Sequence, residues 1–300
     1  MFDLRQALDW LSAGRLIGDP AVRVAGVCTD TRALLPGQLF VALRGERFDA
    51  HDFAVRARAA GAAAVLVERW VEGLPLPVLW VPDARRALGE LAAGWRRRFT
   101  LPLVAVTGSN GKTTVKEMIA AILAEAFGEQ ARLATRGNLN NDVGVPLTLF
   151  GLRDAHRAAV VELGMNRPGE IAWLSQIAAP TVSLVNNAQR EHQEFMRSVE
   201  ATAIENGQSI AALPADGIAV FPGDDPHTPV WRGLAGSRRC FEFGLRADAA
   251  DHARFTVSAE AGARPEGFTI AIAGQAYPVR LAIDGAHNVR NALAAAACAL

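Results

Sequence analysis

Residues 106–114, Val-Thr-Gly-Ser-Asn-Gly-Lys-Thr-Thr, gather the residue types that hold a polyphosphate. Glycines at 108 and 111 let backbone N–H groups turn inward toward an anion. Lys112 offers a mobile cation for terminal phosphates, and the hydroxyl of Thr113 or Thr114 can ligate Mg²⁺. The usual phosphate-loop pattern places four residues between its first glycine and the Gly-Lys pair. Here only Ser109 and Asn110 separate Gly108 from Gly111. The other reading is a tight turn with a surface lysine and capping threonines. Composition favours chemistry: among 31 basic residues only Lys112 and Lys116 are lysines, and one of them stands in this loop.

Other residues are candidates with an alternative beside each. Glu162 closes the apolar run Ala-Ala-Val-Val-Glu-Leu-Gly, where ligands of open α/β sheets gather. A carboxylate there is a natural Mg²⁺ ligand, or else a capping or salt-bridged glutamate. His192 follows the next apolar run, and an isolated histidine is most often structural or solvent-facing. Asn138, Asn140 and Asn141 are neutral amides in what is by default a turn. Asn288 and Asn291 share a helix face at i, i+3 behind His287, which capping alone also explains. Near the N-terminus, Arg32 and Arg44 could meet a phosphate. Arginine is the usual bidentate phosphate partner, although most arginines here are ordinary surface charge.

The elements that must position these residues alternate between strand and helix. Strands are predicted at 37–43, 62–68 and 77–81, with a helix over 50–61 closed by Gly61. Asp83 caps a predicted helix over 84–99, whose arginines collect at the favourable C-terminal end. From 103 the sequence reads strand (103–108) running into the glycine loop, helix (112–128) ending at Gly128, then strands at 158–164, 181–187 and 216–223. Helices fall between them at 168–178, opened by a proline, and after Ser198. Fully apolar strands alternating with helices imply a parallel sheet covered on both faces. After residue 236, short alternating strands with glycine-rich turns read as antiparallel additions. The expected fold is α/β: a small N-terminal α/β domain (1–82), then a phosphate-loop-type, mainly parallel sheet domain with added antiparallel strands (83–300).

The bulk properties exclude several classes. Three hundred residues fit about two domains, and with half of them hydrophobic a large core is available. The net charge is zero, unlike most nucleic-acid-binding domains. Cys28, Cys240 and Cys298 form no CxxC pair, which fits a reducing cytoplasm and argues against a zinc site. Phe2, Leu4, Leu8 and Leu11 are spaced as an amphipathic helix, but Asp3 and Asp9 interrupt it, so no signal peptide is expected. No apolar run approaches a membrane span. The pattern His287–Leu300 runs helically into the last residue without a stop signal, so a further domain is expected beyond it.

The short loop resembles that of the Mur ligases and their relatives, the folylpolyglutamate and cyanophycin synthetases. The segments 134–149, 160–174, 185–195, 213–225 and 285–297 follow in family-like order, as does 29–54, so the resemblance covers nearly the whole chain. Within the family, Gly-Asn-Leu-Asn-Asn-Asp with Glu-Leu-Gly-Met-Asn-Arg-Pro-Gly-Glu is similar to the members that join D-alanyl-D-alanine to UDP-N-acetylmuramoyl-tripeptide. The resemblance implies a cytoplasmic, monomeric, ADP-forming ligase of peptidoglycan precursor synthesis. ATP and Mg²⁺ would bind on residues 108–114, with Thr113, Glu162 and His192 as metal ligands. The tripeptide carboxylate would attack the γ-phosphate to give an acyl phosphate, which the dipeptide amine would displace. Asn138, Asn140 and Asn141 would lie near the reacting groups, Asn291 at the adenine and His287 close to the nucleotide. The segment around residues 28–32 and 43–53 resembles the UDP-binding part of the family's first domain, where Thr31 and Arg32 would meet the nucleotide-sugar end and Arg44, Phe48 and His51 are further candidates.

The match breaks at two places. Most of the family carries a carbamylated lysine that bridges metal and phosphate, and it aligns with Asn206; no lysine follows Lys116. Glu205 or Asn206 is expected to take part of that role. The family's C-terminal domain has no counterpart, so this chain alone is expected to bind nucleotide and ligate poorly. The rivals are a P-loop kinase or NTPase, which needs an aspartate where these strands end in Val-Glu-Leu-Gly and Val-Asn-Asn-Ala, and a nucleotide-binding relic.

Overall fold

The computed structural model describes residues 1–45, 48–190, 198–247 and 255–300. They divide into two compact units: Met1–Phe99 with Asp142–Gly151, and Thr100–Asn141 with Leu152–Leu300.

In the first unit, β1 (Phe2–Asp3) leads into α1 (Leu4–Trp10), whose start is fixed by a reciprocal cap between Asp3 and Gln6. Phe2 therefore lies in a strand and not in the helix its spacing suggested. There follow β2 (Arg15–Ile17), β3 (Arg23–Val24), β4 (Val27–Cys28), β5 (Leu39–Val41), a 3-10 turn (Ala50–Phe53), α2 (Ala54–Ala59), β6 (Ala64–Val67) and β7 (Val78–Trp80). The five-stranded sheet runs β2-β7-β6-β5-β4, antiparallel only at β2–β7. The last helix of the run is α3 (Ala84–Arg96), capped as expected by the Asp83 side chain on the N–H groups of Arg85 and Arg86.

This helix belongs with the first unit, which moves the boundary from the expected 82 to 99. The reason is apolar. Trp95 of α3 lies 6.2 Å from the Phe2 ring, and Leu88 and Leu91 are fully buried. The later helix α5 (Gly144–Leu149) also returns to this unit, bringing Phe150 just past its end to 6.4 Å from Phe2.

The second unit opens with β8 (Leu103–Thr107) and α4 (Lys112–Phe127), then β9 (Arg132–Ala134). After α5 (Gly144–Leu149), it continues through β10 (Ala158–Glu162), α6 (Glu170–Ala178), β11 (Val182–Val185), α7 (Val199–Asn206), α8 (Gln208–Ala211), β12 (Ile218–Pro222) and α9 (Thr228–Ala235). β13 (Arg239–Arg246), β14 (Val257–Glu260), β15 (Phe268–Ile272), β16 (Gln275–Val279) and α10 (His287–Cys298) complete it. The sheet order is β16-β15-β14-β13-β12-β11-β8-β10-β9.

Only the β14–β15 and β15–β16 pairings are antiparallel. β13 and β14, expected as antiparallel additions, instead extend the parallel ladder. For β13 the cause is α9, which carries the chain back across the sheet so that the strand re-enters in the direction of β12.

Strand alternation distributes the two faces. Val106, Val160, Leu184 and Val220 pack with Val115 and Ile119 of α4 and Val289 and Leu293 of α10. Val185, Ala219 and Phe221 face the other way, toward Ala203, Ile210 and Trp231 of α7, α8 and α9. β8 lies between β10 and β11, so chain connections leave it to both sides. The carboxyl end of such a switch strand is where open α/β sheets bind ligands. No helix among the described residues is long and apolar enough to cross a membrane.

Candidate active site

The glycine loop leaves the carboxyl end of β8 and opens α4. Gly108 has φ 131° and Gly111, the residue before the helix, has φ 75°. Both lie in the left-handed range that glycine adopts without steric cost. The helix N-terminus thus presents backbone N–H groups and partial positive charge. The Lys112 ammonium folds back to donate to the carbonyl oxygens of Gly108 at 2.5 Å and Ser109 at 3.2 Å.

Glu162 ends β10 two residues after Val160, and so points to the face that α4 covers. It is 2% exposed. The Thr113 hydroxyl donates to its Oε2 at 2.9 Å and the Asn140 amide to its Oε1 at 2.8 Å. The Glu162 N–H donates to the Thr135 hydroxyl at 3.0 Å, and the Asn140 carbonyl accepts from the Gly164 N–H at 2.7 Å. Glycine loop, threonine, carboxylate and asparagine are thus brought into one cluster. Asn138 and Asn141 lie exposed on the same loop.

β11 builds the opposite wall by the same alternation. Asn186, two residues past Leu184, faces α10 and donates its amide to Asn291 Oδ1 at 3.0 Å and to the Asn110 carbonyl at 2.9 Å. Asn291 in turn donates to Asn288 Oδ1 at 2.9 Å, so the expected shared face is real. Asn187 Oδ1 accepts from the Asn110 N–H at 2.9 Å, while the Ser109 hydroxyl donates to the Gln189 carbonyl at 3.2 Å. His287 is exposed at the first position of α10. Asn186, Asn187, Gln189, Thr135 and Lys116 were not singled out from the sequence. For the amides the available signal was an Asn-Asn pair at the carboxyl end of a buried strand. For Thr135 there was none.

Asn206, the position aligned with the carbamylated lysine, is 1% exposed, and its Oδ1 accepts the Gly108 N–H at 3.0 Å. It holds the loop backbone. Glu205, considered as the replacement charge, is committed elsewhere: its Oε1 accepts from the N–H groups of Gly169 at 2.9 Å and Ile171 at 3.0 Å, capping α6. That helix accordingly starts at Glu170 and not at the proline. His192 lies outside the described residues.

Mg²⁺ prefers oxygen ligands, keeps several waters and completes its sphere with phosphate oxygens. The Thr113 hydroxyl and Glu162 carboxylate, beside an anion-binding loop, match that donor set. Among the described residues no group of three or more His, Cys, Asp or Glu could hold a metal by itself.

In the first unit, Thr31 and Arg32 sit in the turn after β4, and Arg44 and Phe48 follow β5. These are the carboxyl ends of adjacent parallel strands. Arg32 is paired with Asp30 at 2.6 Å, and the Arg32 hydrogen bond holds the Asp30 carboxyl at about 2. Arg44 and Phe48 are exposed. His51 is not available to a substrate. It is 2% exposed, its Nε2 accepts the Glu68 N–H at 2.9 Å, and its Nδ1 lies 2.5 Å from Asp49 Oδ1. Both ring nitrogens are spent on the scaffold, because a buried imidazole must satisfy its polar atoms internally.

A switch-strand sheet with a lysine-bearing glycine loop and a facing carboxylate defines a P-loop α/β protein. Residues 106–299 match the Mur ligase middle domain and residues 23–96 the Mur ligase family catalytic domain. The chain belongs to the Mur ligase family.

It is 44% identical over 279 residues to the UDP-N-acetylmuramoyl-tripeptide–D-alanyl-D-alanine ligase of Escherichia coli (strain K12), covering 93% of this chain and 60% of that one. With the enzyme of that name from Bacillus subtilis (strain 168) the identity is 36%, covering 91% and 58%. The crystal structure of MurF from Acinetobacter baumannii superposes with a TM-score of 0.87 at 34% identity, over 99% of this chain and 64% of that one. MurF from Thermotoga maritima in complex with ADP superposes at 0.78 with 26% identity, over 93% and 63%. The chain thus spans about 60% of the length of the curated relatives it matches.

Proposed function

We propose that this chain is the nucleotide- and UDP-substrate-binding part of an ADP-forming ligase that joins D-alanyl-D-alanine to UDP-N-acetylmuramoyl-tripeptide. The observation that carries the reading is the shortened loop with Lys112 at its end and the Thr113–Glu162 pair beside it. The naming of the relatives supports the substrates.

In this reading the loop of residues 108–114 wraps the ATP phosphates and the N–H groups that open α4 face them, while the N–H groups of Gly108, Ser109 and Asn110 stay bonded to Asn206 and Asn187. Lys112 exchanges the carbonyls of Gly108 and Ser109 for phosphoryl oxygens and stabilises the charge that develops as the tripeptide carboxylate attacks. Mg²⁺, when held by Thr113 and Glu162, supplies positive charge at the transferring phosphoryl group, with His192 proposed as a further ligand. Asn138, Asn140 and Asn141 orient the resulting acyl phosphate with neutral donors, leaving the metal's charge undiminished. Asn288 and Asn291, with His287 nearby, orient the adenosine end. Thr31, Arg32, Arg44 and Phe48 receive the uridine diphosphate. His51 instead stiffens the segment after β5. None of these residues is a covalent nucleophile, so the site works by positioning and charge stabilisation.

Acyl-phosphate chemistry depends on closure that excludes water. Residues 1–300 alone are therefore proposed to bind nucleotide but ligate poorly. Phosphate release from ATP tests the reading, measured on this chain and on one extended to the relatives' full length. Release from the extended chain is expected only with both UDP-tripeptide and dipeptide present. Release indifferent to the dipeptide, or equal ligation rates for the two chains, would contradict it.

A further inference from the structure

Lys116 is the second of the chain's two lysines, one turn behind Lys112 on α4. Its side chain is fully buried. A buried ammonium carries a desolvation cost that an apolar side chain would avoid, so its partners indicate what it does. Nζ donates to the Thr135 carbonyl at 2.9 Å and to the carboxylate of Glu117, which is itself largely exposed.

Thr135 is the residue at which the chain leaves the sheet edge. The β9–β10 ladder ends at the Ala134–Val160 pair. Thr135 then donates its N–H to the Val160 carbonyl at 3.1 Å and accepts the Glu162 N–H on its hydroxyl at 3.0 Å. Five residues further on, Asn140 reaches Glu162 Oε1 at 2.8 Å. One carbonyl, gripped by one buried cation, thus heads the segment that bonds the Glu162 backbone through Thr135 and its carboxylate through Asn140.

We propose that Lys116 is a positioning residue: by holding Thr135 it fixes the backbone of Glu162 and the course of residues 136–141, and so aims the carboxylate and Asn140 at the Mg²⁺-bearing side of the nucleotide site. The inference rests on the nucleotide reading above. Lys116 is bonded to Thr135 and Glu117 and not to the glycine loop, so its removal acts on metal coupling and spares the loop's own grip.

The test is calorimetric titration of the chain with the β,γ-imido analogue of ATP, with and without Mg²⁺. It compares the wild type, Lys116→Met, Thr135→Val and the double variant. Outer-sphere partners of metal ligands typically contribute about tenfold to metal affinity. Each single variant is expected to keep the metal-free affinity and lose about tenfold of the magnesium-dependent gain. The double variant is expected to lose less than the sum, because both act through one contact chain. A folded single variant with an unchanged gain, or a parallel loss with and without magnesium, overturns the inference. Should Lys116→Met not fold, Thr135→Val decides by the same criterion, since it keeps the lysine and replaces only a hydroxyl with a methyl. A wild type that fails to bind the analogue, or gains nothing from magnesium, overturns the nucleotide reading and this inference with it. Wild-type binding with a normal gain and unaltered variants overturns the inference alone.

Discussion

At Gly111 an added methyl would stand 2.8 Å from Asn291 Oδ1 and 2.9 Å from Asn186 Nδ2, on a backbone with φ 75°. The same residue is therefore constrained twice, by conformation and by the amides that brace the loop. Gly111→Ala is expected to destabilise the chain by roughly 1–3 kcal/mol, the typical cost of a strained left-handed residue. It should also weaken nucleotide binding, because relief of the contact displaces Asn186 and Asn291. Chemical denaturation and nucleotide titration check this, and an unchanged unfolding midpoint would show that the loop is looser than its geometry indicates. His51 teaches the converse. By type and position it resembled a substrate contact, yet burial and two internal bonds make it scaffold. Sequence gives a residue's chemical capacity; only the fold shows whether that capacity has already been consumed.

Among the elements, the turn from β5 into the 3-10 segment at Ala50–Phe53 depends on Asp49. Burial alone would raise its carboxyl, but hydrogen bonds from the backbone and ring of His51 and from Arg69 outweigh that and bring it from 3.8 to about 2. A folded value below the unfolded one means the stabilisation is complete above about 3.8 and is lost as pH falls through about 2. The Arg32-bonded Asp30 titrates in the same direction. Acid unfolding of the first unit, followed by tryptophan fluorescence, is thus expected to steepen over that window, and Asp49→Asn should shrink the loss. A pH profile identical in Asp49→Asn would contradict this.

The elements most legible in sequence were those with an undivided local signal. β8, β10, β11 and β12 are continuous apolar runs, α4 is bounded by Gly111 and Gly128, and α3 opens on Asp83. The pairing of β13 and β14 was not legible, because alternation marks a half-exposed strand without giving its direction. β9 and α5 were missed because each is short, and their placement depends on contacts distant in sequence. The site shows the same division. Lys112 and Thr113 open the helix that follows a buried strand and Glu162 ends another, so for them residue type and local position point the same way. Lys116 and Thr135 gain meaning only when α4 and the edge of the sheet are brought together.

For the whole molecule, the comparisons place the chain in the Mur ligase family, and the proposed nucleotide site stands at one sheet's switch point with uncharged amides as its frame. Asn206, expected from the sequence at the place of the family's bridging lysine, holds the Gly108 N–H and so braces the glycine loop. The central claim is that the shortened loop, with Lys112, grips a polyphosphate. Calorimetric titration of the wild-type chain and Lys112→Ala with MgADP tests it most directly. Saturable one-to-one binding by the wild type and at least a tenfold weaker Kd for the variant, on the order of 1.4 kcal/mol or more, is the expected result. Equal affinities for the two folded proteins would contradict the account.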